Sequence, residues 1–328
     1  MFVRIAVLLL FSNTLFGAGV TYTGVHGPGL GKHIVLVAGD DAEYHSEEAL
    51  PALAKILAVR HGFTCTVLFS INPSDGTIDP REKRNTPGLE ALKTADLLIL
   101  FIRWRDLPDD QMKYFVDYFE SGRPIIAIRT GTHPFWFKTS KTYEKWSWNS
   151  EVPGWEGGFG RKVLGETWVA HHAKHGEQST RGIFAPDAAG SPILRGIGDG
   201  EIWGSTEVYE VHLPLPGTCR PLVLGQVLSW IGSDAEPVKG KLNDPMMPIV
   251  WTNSYRGARV FTSTIGSADD LENEAVRRMF VNAAYWAVGL DAKIPAKADV
   301  AFVGQYSPHS FLSEVYTAGV KPSDLELK

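Results

Sequence analysis

A doubly wound, flavodoxin-like α/β domain with a mostly parallel sheet is what this 328-residue sequence predicts, and three observations carry the reading. Short β-branched apolar runs alternate with segments of helical spacing from residue 33 onward, the order that builds a parallel sheet. Turn residues and charges follow each run, so polar groups collect at successive strand ends. No internal repeat, low-complexity tract or block of like charge points to another architecture.

The first strand is 33–38, with Ile34, Val35, Leu36 and Val37, and it ends in Gly39-Asp40-Asp41. A helix follows, with Leu50, Leu53, Ile56 and Leu57 on one face and a stop at His61-Gly62. The second strand is 63–69, and the Pro-, Asp- and Gly-bearing stretch 71–88 reads as a long loop. The third strand, 95–102, empties into Arg103-Trp104-Arg105-Asp106-Leu107-Pro108. A helix over 109–121 sets Met112, Phe115, Val116 and Phe119 at core spacing, and Gly122 stops it. Residues 124–128 form the fourth strand, and 138–162, rich in Trp and Gly, reads as an insertion within one domain spanning 31–290. Strand-like runs near 206–211, 221–227, 247–252 and 258–264 precede a helix over 269–288, whose stripe is Val276, Phe280, Ala283, Ala284 and Ala287. Residues 291–328 are expected to lie over the domain as a tail.

Residues 1–19 read as a signal peptide: Arg4 is the basic flank, 5–10 the apolar core, and Gly17-Ala18-Gly19 the small-residue cleavage site. A buried N-terminal element is the competing reading, but no cap, turn or amphipathic period supports it. The expected location is therefore periplasmic or secreted. Ser12, Asn13 and Thr14 interrupt the apolar stretch, which is too short to span a bilayer, and no other run approaches that length. A net charge of −5 gives no reason to expect a nucleic-acid partner. Cys65 and Cys219 are too few for a disulfide framework and lie in apolar surroundings, so two buried thiols are favoured over a bridge. The glycines of 24–31 precede the first strand, so they are not a dinucleotide fingerprint.

In sheets of this kind ligands bind outside the carboxyl ends of the strands. That rule selects Asp40, Asp41 and His45 after the first strand, Arg103, Trp104 and Arg105 after the third, and Arg129, Thr130, Thr132 and His133 after the fourth. His133 suits general acid–base work, or else it caps the next helix as a structural histidine. Arg103, Arg105 and Arg129 can bracket a polarised oxygen, or each can pair with Asp40, Asp41 or Asp106. His171, His172 and His175 form an HHxxH cluster. On a helix, two of them would share a face and hold a divalent metal such as Zn²⁺. A polar loop contacting sugar is the other reading. Trp104, Trp136, Trp146, Trp148 and Trp155, half of the ten Trp, fall at or just beyond the strand ends, where indole faces stack on sugars as readily as they fill cores.

Those strand ends carry a resemblance. Gly39-Asp40-Asp41-Ala42-Glu43-Tyr44-His45-Ser46-Glu47-Glu48 resembles the opening loop of the ThuA-like, trehalose-utilisation family. Arg103-Trp104-Arg105-Asp106-Leu107-Pro108 and Arg129-Thr130-Gly131-Thr132-His133-Pro134-Phe135 resemble its segments after the third and fourth strands. Gly165-Glu166-Thr167 with His171, His172, His175 and Gly176 is similar to its histidine-rich stretch. The resemblance implies a class I glutamine amidotransferase-like fold in which Arg129 replaces the nucleophilic cysteine. Glutaminase chemistry needs that thiolate and is excluded. It also implies a carbohydrate ligand and keto-sugar or disaccharide chemistry, with proton abstraction beside a carbonyl. In that scheme His133 is the acid/base, His45 a second proton carrier, and Arg103, Arg105 and Arg129 stabilise the enediolate. A non-catalytic carbohydrate-binding domain is the alternative.

Overall fold

The computed structural model describes residues 19–313 and 315–327, and the leader read from residues 1–19 lies outside them except for Gly19. Twelve strands are present in that span: β1 (Gly19–Thr23), β2 (His33–Gly39), β3 (Thr64–Phe69), β4 (Leu97–Ile102), β5 (Ile125–Ile128), β6 (Ala170–His171), β7 (Thr180–Phe184), β8 (Ile202–Gly204), β9 (Tyr209–Glu210), β10 (Arg220–Val227), β11 (Met247–Tyr255) and β12 (Ala258–Ser263). The helices are α1 (Ser46–His61), α2 (Asp109–Glu120) and α3 (Glu274–Ala287).

Strands β2 and β4 are near-continuous apolar runs buried on both faces, as a central parallel strand requires. Ten strands form one sheet, ordered β1-β3-β2-β4-β5-β12-β11-β10-β7-β8. From β3 to β12 every neighbour is parallel. Those five strands run second-first-third-fourth-fifth in chain order, the flavodoxin-like arrangement. Antiparallel strands extend it at both edges.

Alternation along the strands divides the core. Ile34, Leu36 and Ile99 face α1 and α3, packing with Leu50, Leu53, Val276 and Phe280. Val35, Val37, Leu98 and Leu100 face α2, packing with Met112, Phe115 and Phe119. The sheet is thus covered on both sides. Gly62 caps α1 at φ 84°, and Gly122 follows α2 at φ 70°, where a side chain would be strained.

Two elements differ from expectation. The helix expected over 269–288 is broken: a 3₁₀ turn over Asp269–Glu272 precedes α3, and Asn273 is extended and caps Val276 N. Asp270 causes the break, because its carboxylate accepts from Gly266 N, Ser267 N and Thr206 N and pins the turn. Of the run 206–211 only β9 pairs, with β6, in a separate two-stranded sheet. Cys65 is buried and Cys219 half-buried, and both are free thiols. Beyond α3, Ile294, Ala298, Val300 and Phe311 are buried against the body.

Candidate functional site

The turns at the carboxyl ends are held in unusual backbone conformations. Asp41, Ala42 and His45 after β2, Trp104 after β4 and Arg129 after β5 have φ of 71°, 59°, 54°, 49° and 47°. Among the described residues only Asp187 and Arg256 are other non-glycine residues with positive φ. Such strain persists only where surrounding bonds over-determine it. Asp40 supplies some of those bonds: one oxygen accepts from Tyr44 N at 2.8 Å, the other from Ser46 N at 3.3 Å and Ser46 Oγ at 2.9 Å. Arg105 supplies others, donating to Ser70 Oγ and to the carbonyls of Pro80, Glu82 and Arg103. Its Nη2 meets Asp41 at 2.9 Å, and the other Asp41 oxygen takes Lys83 at 2.5 Å. Asp40, Asp41 and Arg105 therefore brace the turns, with their hydrogen-bonding capacity largely spent.

The cleft they frame is lined by Glu43, Tyr44, Arg103, Arg129, Thr130, His133, Trp168, His171, Glu207 and Tyr209, with about 20 Å³ of free space. That volume suits one water or one ion. Arg129 is fully buried at its centre. Its Nη1 donates to the carbonyls of Glu207 (2.9 Å) and Thr264 (2.6 Å), and Nη2 to Tyr44 Oη (3.2 Å) and Glu207 Oε1 (2.9 Å). Its guanidinium also lies 4.5 Å from the Tyr44 ring centre and 5.2 Å from that of Tyr209. Glu207 is equally buried, and its two oxygens lie 3.1 Å from His171 Nδ1 and 3.1 Å from His175 Nδ1. Burial opposes ionisation of Glu207. Arg129 and the two imidazole hydrogen bonds outweigh it and hold this carboxyl well below the usual range.

His133 forms the opposite wall. Its Nδ1 is 3.1 Å from Thr132 Oγ1, and its ring meets Trp104 at 5.7 Å and Trp168 at 5.6 Å. Burial, then the charges of Arg103 and Arg129, hold its pKa well below the usual histidine value, so the ring is neutral. Trp148 completes the ring of aromatics, 6.1 Å from Trp104 and 5.8 Å from Trp168. Arg103 lies over Trp104 at 4.0 Å, pairs with Glu43, and leaves a buried Nε without a partner. Thr130 presents a buried hydroxyl, also unpartnered, whereas Thr132 is tied to Tyr209 Oη at 2.8 Å.

The strand ends thus bring Arg103, Arg129, Thr130 and His133 into one cleft. They do not bring His45, whose Nε2 lies 3.1 Å from the Ser310 carbonyl and whose Nδ1 faces Glu47 at 3.4 Å. The histidine-rich stretch is not helical: His171 ends β6 and a turn follows. His172 turns away to the Leu242 carbonyl at 3.0 Å, leaving His171 and His175 with Glu207. Trp146 and Trp155 pack against each other in a tilted pair at 4.5 Å in the α2 core, away from the cleft. Glu207, Tyr44, Tyr209 and Trp168 were not singled out by sequence reasoning. Glu207 and Tyr209 share one face of an extended segment two residues apart, the one pattern that marks them as partners.

A flavodoxin-like parallel core whose carboxyl-edge cleft is lined by buried Arg129 and Glu207 and by exposed His171, with His175 beside them and no thiol, defines an α/β domain with a candidate site at the strand ends. The sequence matches the trehalose-utilisation family, ThuA, over residues 34–287, and the chain belongs to that family. No curated protein matches it in sequence. A ThuA-like protein from Parabacteroides merdae ATCC 43184 is similar at 13% identity and TM-score 0.49, covering 78% of this chain and 89% of that one. A ThuA-like protein from Bacteroides uniformis ATCC 8492 is similar at 14% identity and TM-score 0.49, covering 81% and 95%. The carbohydrate deacetylase Agd3 is similar at 12% identity and TM-score 0.42, covering 80% of this chain and 33% of that one.

Proposed function

We propose that this protein is an exported enzyme of trehalose or glycoside utilisation that moves a proton beside the carbonyl of a keto-sugar. One observation carries the reading: Glu207, held ionised by Arg129, meets two imidazoles beside a cleft that also holds the Arg103 and Arg129 cations and a neutral His133. Abstraction of a C–H proton next to a carbonyl needs a proton acceptor and a means of stabilising the enediolate oxygen. The Glu207–His171–His175 centre supplies the acceptor. Arg129 is spent on holding Glu207 and acts through its charge, whereas Arg103 is placed to meet the oxygen. His133, kept neutral, donates a hydrogen bond without losing a full proton, a role different from the acid/base part that the resemblance implied for it. The cleft itself has room for one water or ion, so the sugar ring would lie at its mouth, against Trp168 and the half-exposed His171. Glutamine hydrolysis is no part of this reading, since neither Cys65 nor Cys219 lines the cleft.

Incubating the protein with a 3-keto-glycoside in deuterated buffer tests it. Deuterium should appear at the carbon beside the carbonyl, and Glu207→Gln should slow that exchange by roughly 100-fold or more. Sugar binding with no exchange would replace the enzyme by a carbohydrate-binding accessory domain. Export is tested separately, by mass spectrometry of the native N-terminus, expected at Val20.

A further inference from the structure

We infer that His171, His175 and Glu207 hold one divalent transition-metal ion. Three side chains from two separate segments converge here: His171 and His175 flank a turn, and Glu207 precedes β9. Their nearest nitrogen and oxygen atoms all lie within 4.8 Å of one another, and each His Nδ1 is 3.1 Å from a Glu207 oxygen. Ligands held at about 2.0–2.2 Å from one ion are separated from each other by roughly 3 Å, so the two His–Glu207 spacings match a metal's coordination edges. The imidazole ring centres are 5.2 Å apart.

The surroundings favour an ion over a plain hydrogen-bonded cluster. Glu207 is fully buried while the histidine side chains are 48% and 36% exposed, so the assembly is fixed at its base and open on one side. Phe311 and Tyr44 pack edge-on against His175, at 5.5 and 6.5 Å, and Trp168 against His171 at 6.0 Å, which sets both ring orientations. Arg129 occupies one lone-pair direction of Oε1 and fixes the carboxylate plane. A carboxylate has about four such directions, so others remain for the ion. The ion would displace the two Nδ1 protons to Nε2, leaving both rings neutral. Two nitrogens and one carboxylate with open positions suit Zn²⁺, Mn²⁺ or Fe²⁺, whereas Ca²⁺ and Mg²⁺ prefer all-oxygen sets.

This inference deepens the proposed function without depending on it. With an ion bound, Glu207, His171 and His175 would be its ligands and not themselves the proton acceptor, and the ion would supply polarisation of the keto-sugar carbonyl and a more acidic water. The test reads metal alone. Chelator-stripped full-length protein is titrated with Zn²⁺ and with Mn²⁺ by calorimetry, with thermal unfolding followed in parallel. Binding of about one ion per chain is expected, with a rise in Tm. His171→Ala and His175→Ala should each weaken it roughly 100-fold or more. His172→Ala, whose ring faces Leu242, should leave it unchanged. Both key histidines are half-exposed, so these variants are expected to fold, which far-ultraviolet circular dichroism checks. Absence of stoichiometric binding by the unsubstituted protein, or equal loss in His172→Ala, overturns the site. Metal binding without keto-sugar exchange would sink the proposed reaction and leave the site standing, and exchange without metal would do the reverse.

Discussion

Arg129 sits in a left-handed turn, at φ 47°, and spends four hydrogen bonds on Glu207, Thr264 and Tyr44. A buried pair broken on one side leaves the other charge without compensation. Arg129→Met is therefore expected to lower the unfolding free energy by about 3–5 kcal/mol, measured by urea denaturation. Adding Glu207→Gln should recover part of that loss, and a double-mutant cycle between the two positions gives the coupling. The cations and His133 were legible in the sequence because they directly follow apolar strands, where the topology alone marks a ligand edge. Glu207 was not. It comes from an extended segment of which little joins a sheet, and nothing in its neighbours separates it from the other 36 acidic residues among 37. Its role depends on a fold-back that places it 78 positions from Arg129 in sequence yet within 2.9 Å.

At the scale of elements, the start of α1 carries a charge that solvent does not reach. His45 is fully buried at a left-handed position, beside Glu47, Asp40, Glu48 and the ring of His309 at 5.4 Å. Burial disfavours its cation, but the Glu47 hydrogen bond and charge, with Asp40 and Glu48, win and raise its pKa to about 9. A histidine pKa raised on folding adds stability that is complete below about pH 6.5 and disappears as pH climbs through the folded value. Stability should thus fall by on the order of 3 kcal/mol between about pH 6.5 and pH 9, and His45→Asn should flatten that slope in pH-dependent unfolding. Periodicity located α1 and α2 closely, α2 by the single apolar stripe it buries. It failed where side chains capture the backbone: Asp270 breaks the expected 269–288 helix, and the histidine turn was given a helical period that its strand-and-turn backbone does not have. Pattern reasoning sees hydrophobic spacing, and these exceptions are made by polar contacts between distant segments.

Across the whole molecule, the aromatic residues divide by function. Trp146, Trp155 and Phe119 fill the α2 core, while Trp104, Trp148 and Trp168 ring His133. A sugar entering the cleft should therefore change the emission of the second group alone. Trp168→Phe is expected to remove much of a ligand-induced fluorescence change while leaving the unfolding midpoint within a few degrees, checked by titration and thermal melting. The tail is a second whole-molecule feature. Phe311 is buried, stacked on Tyr44 at 6.3 Å and set against His175. Phe311→Ala should cost about 3–5 kcal/mol if the gap does not collapse, and should also loosen His175, seen as a shifted imidazole resonance.

The position of Phe311 in the chain bears on the order in which the protein is made. Domains fold as units while synthesis proceeds from the N-terminus. All five parallel strands have emerged once β12 is complete, and α3 follows at once, yet the wall behind His175 is still to come. A nascent chain can therefore close its core before it can finish its cleft. A lesion near the far end of the message is then felt at the site without passing through the sheet, because it removes the wall that steadies His175.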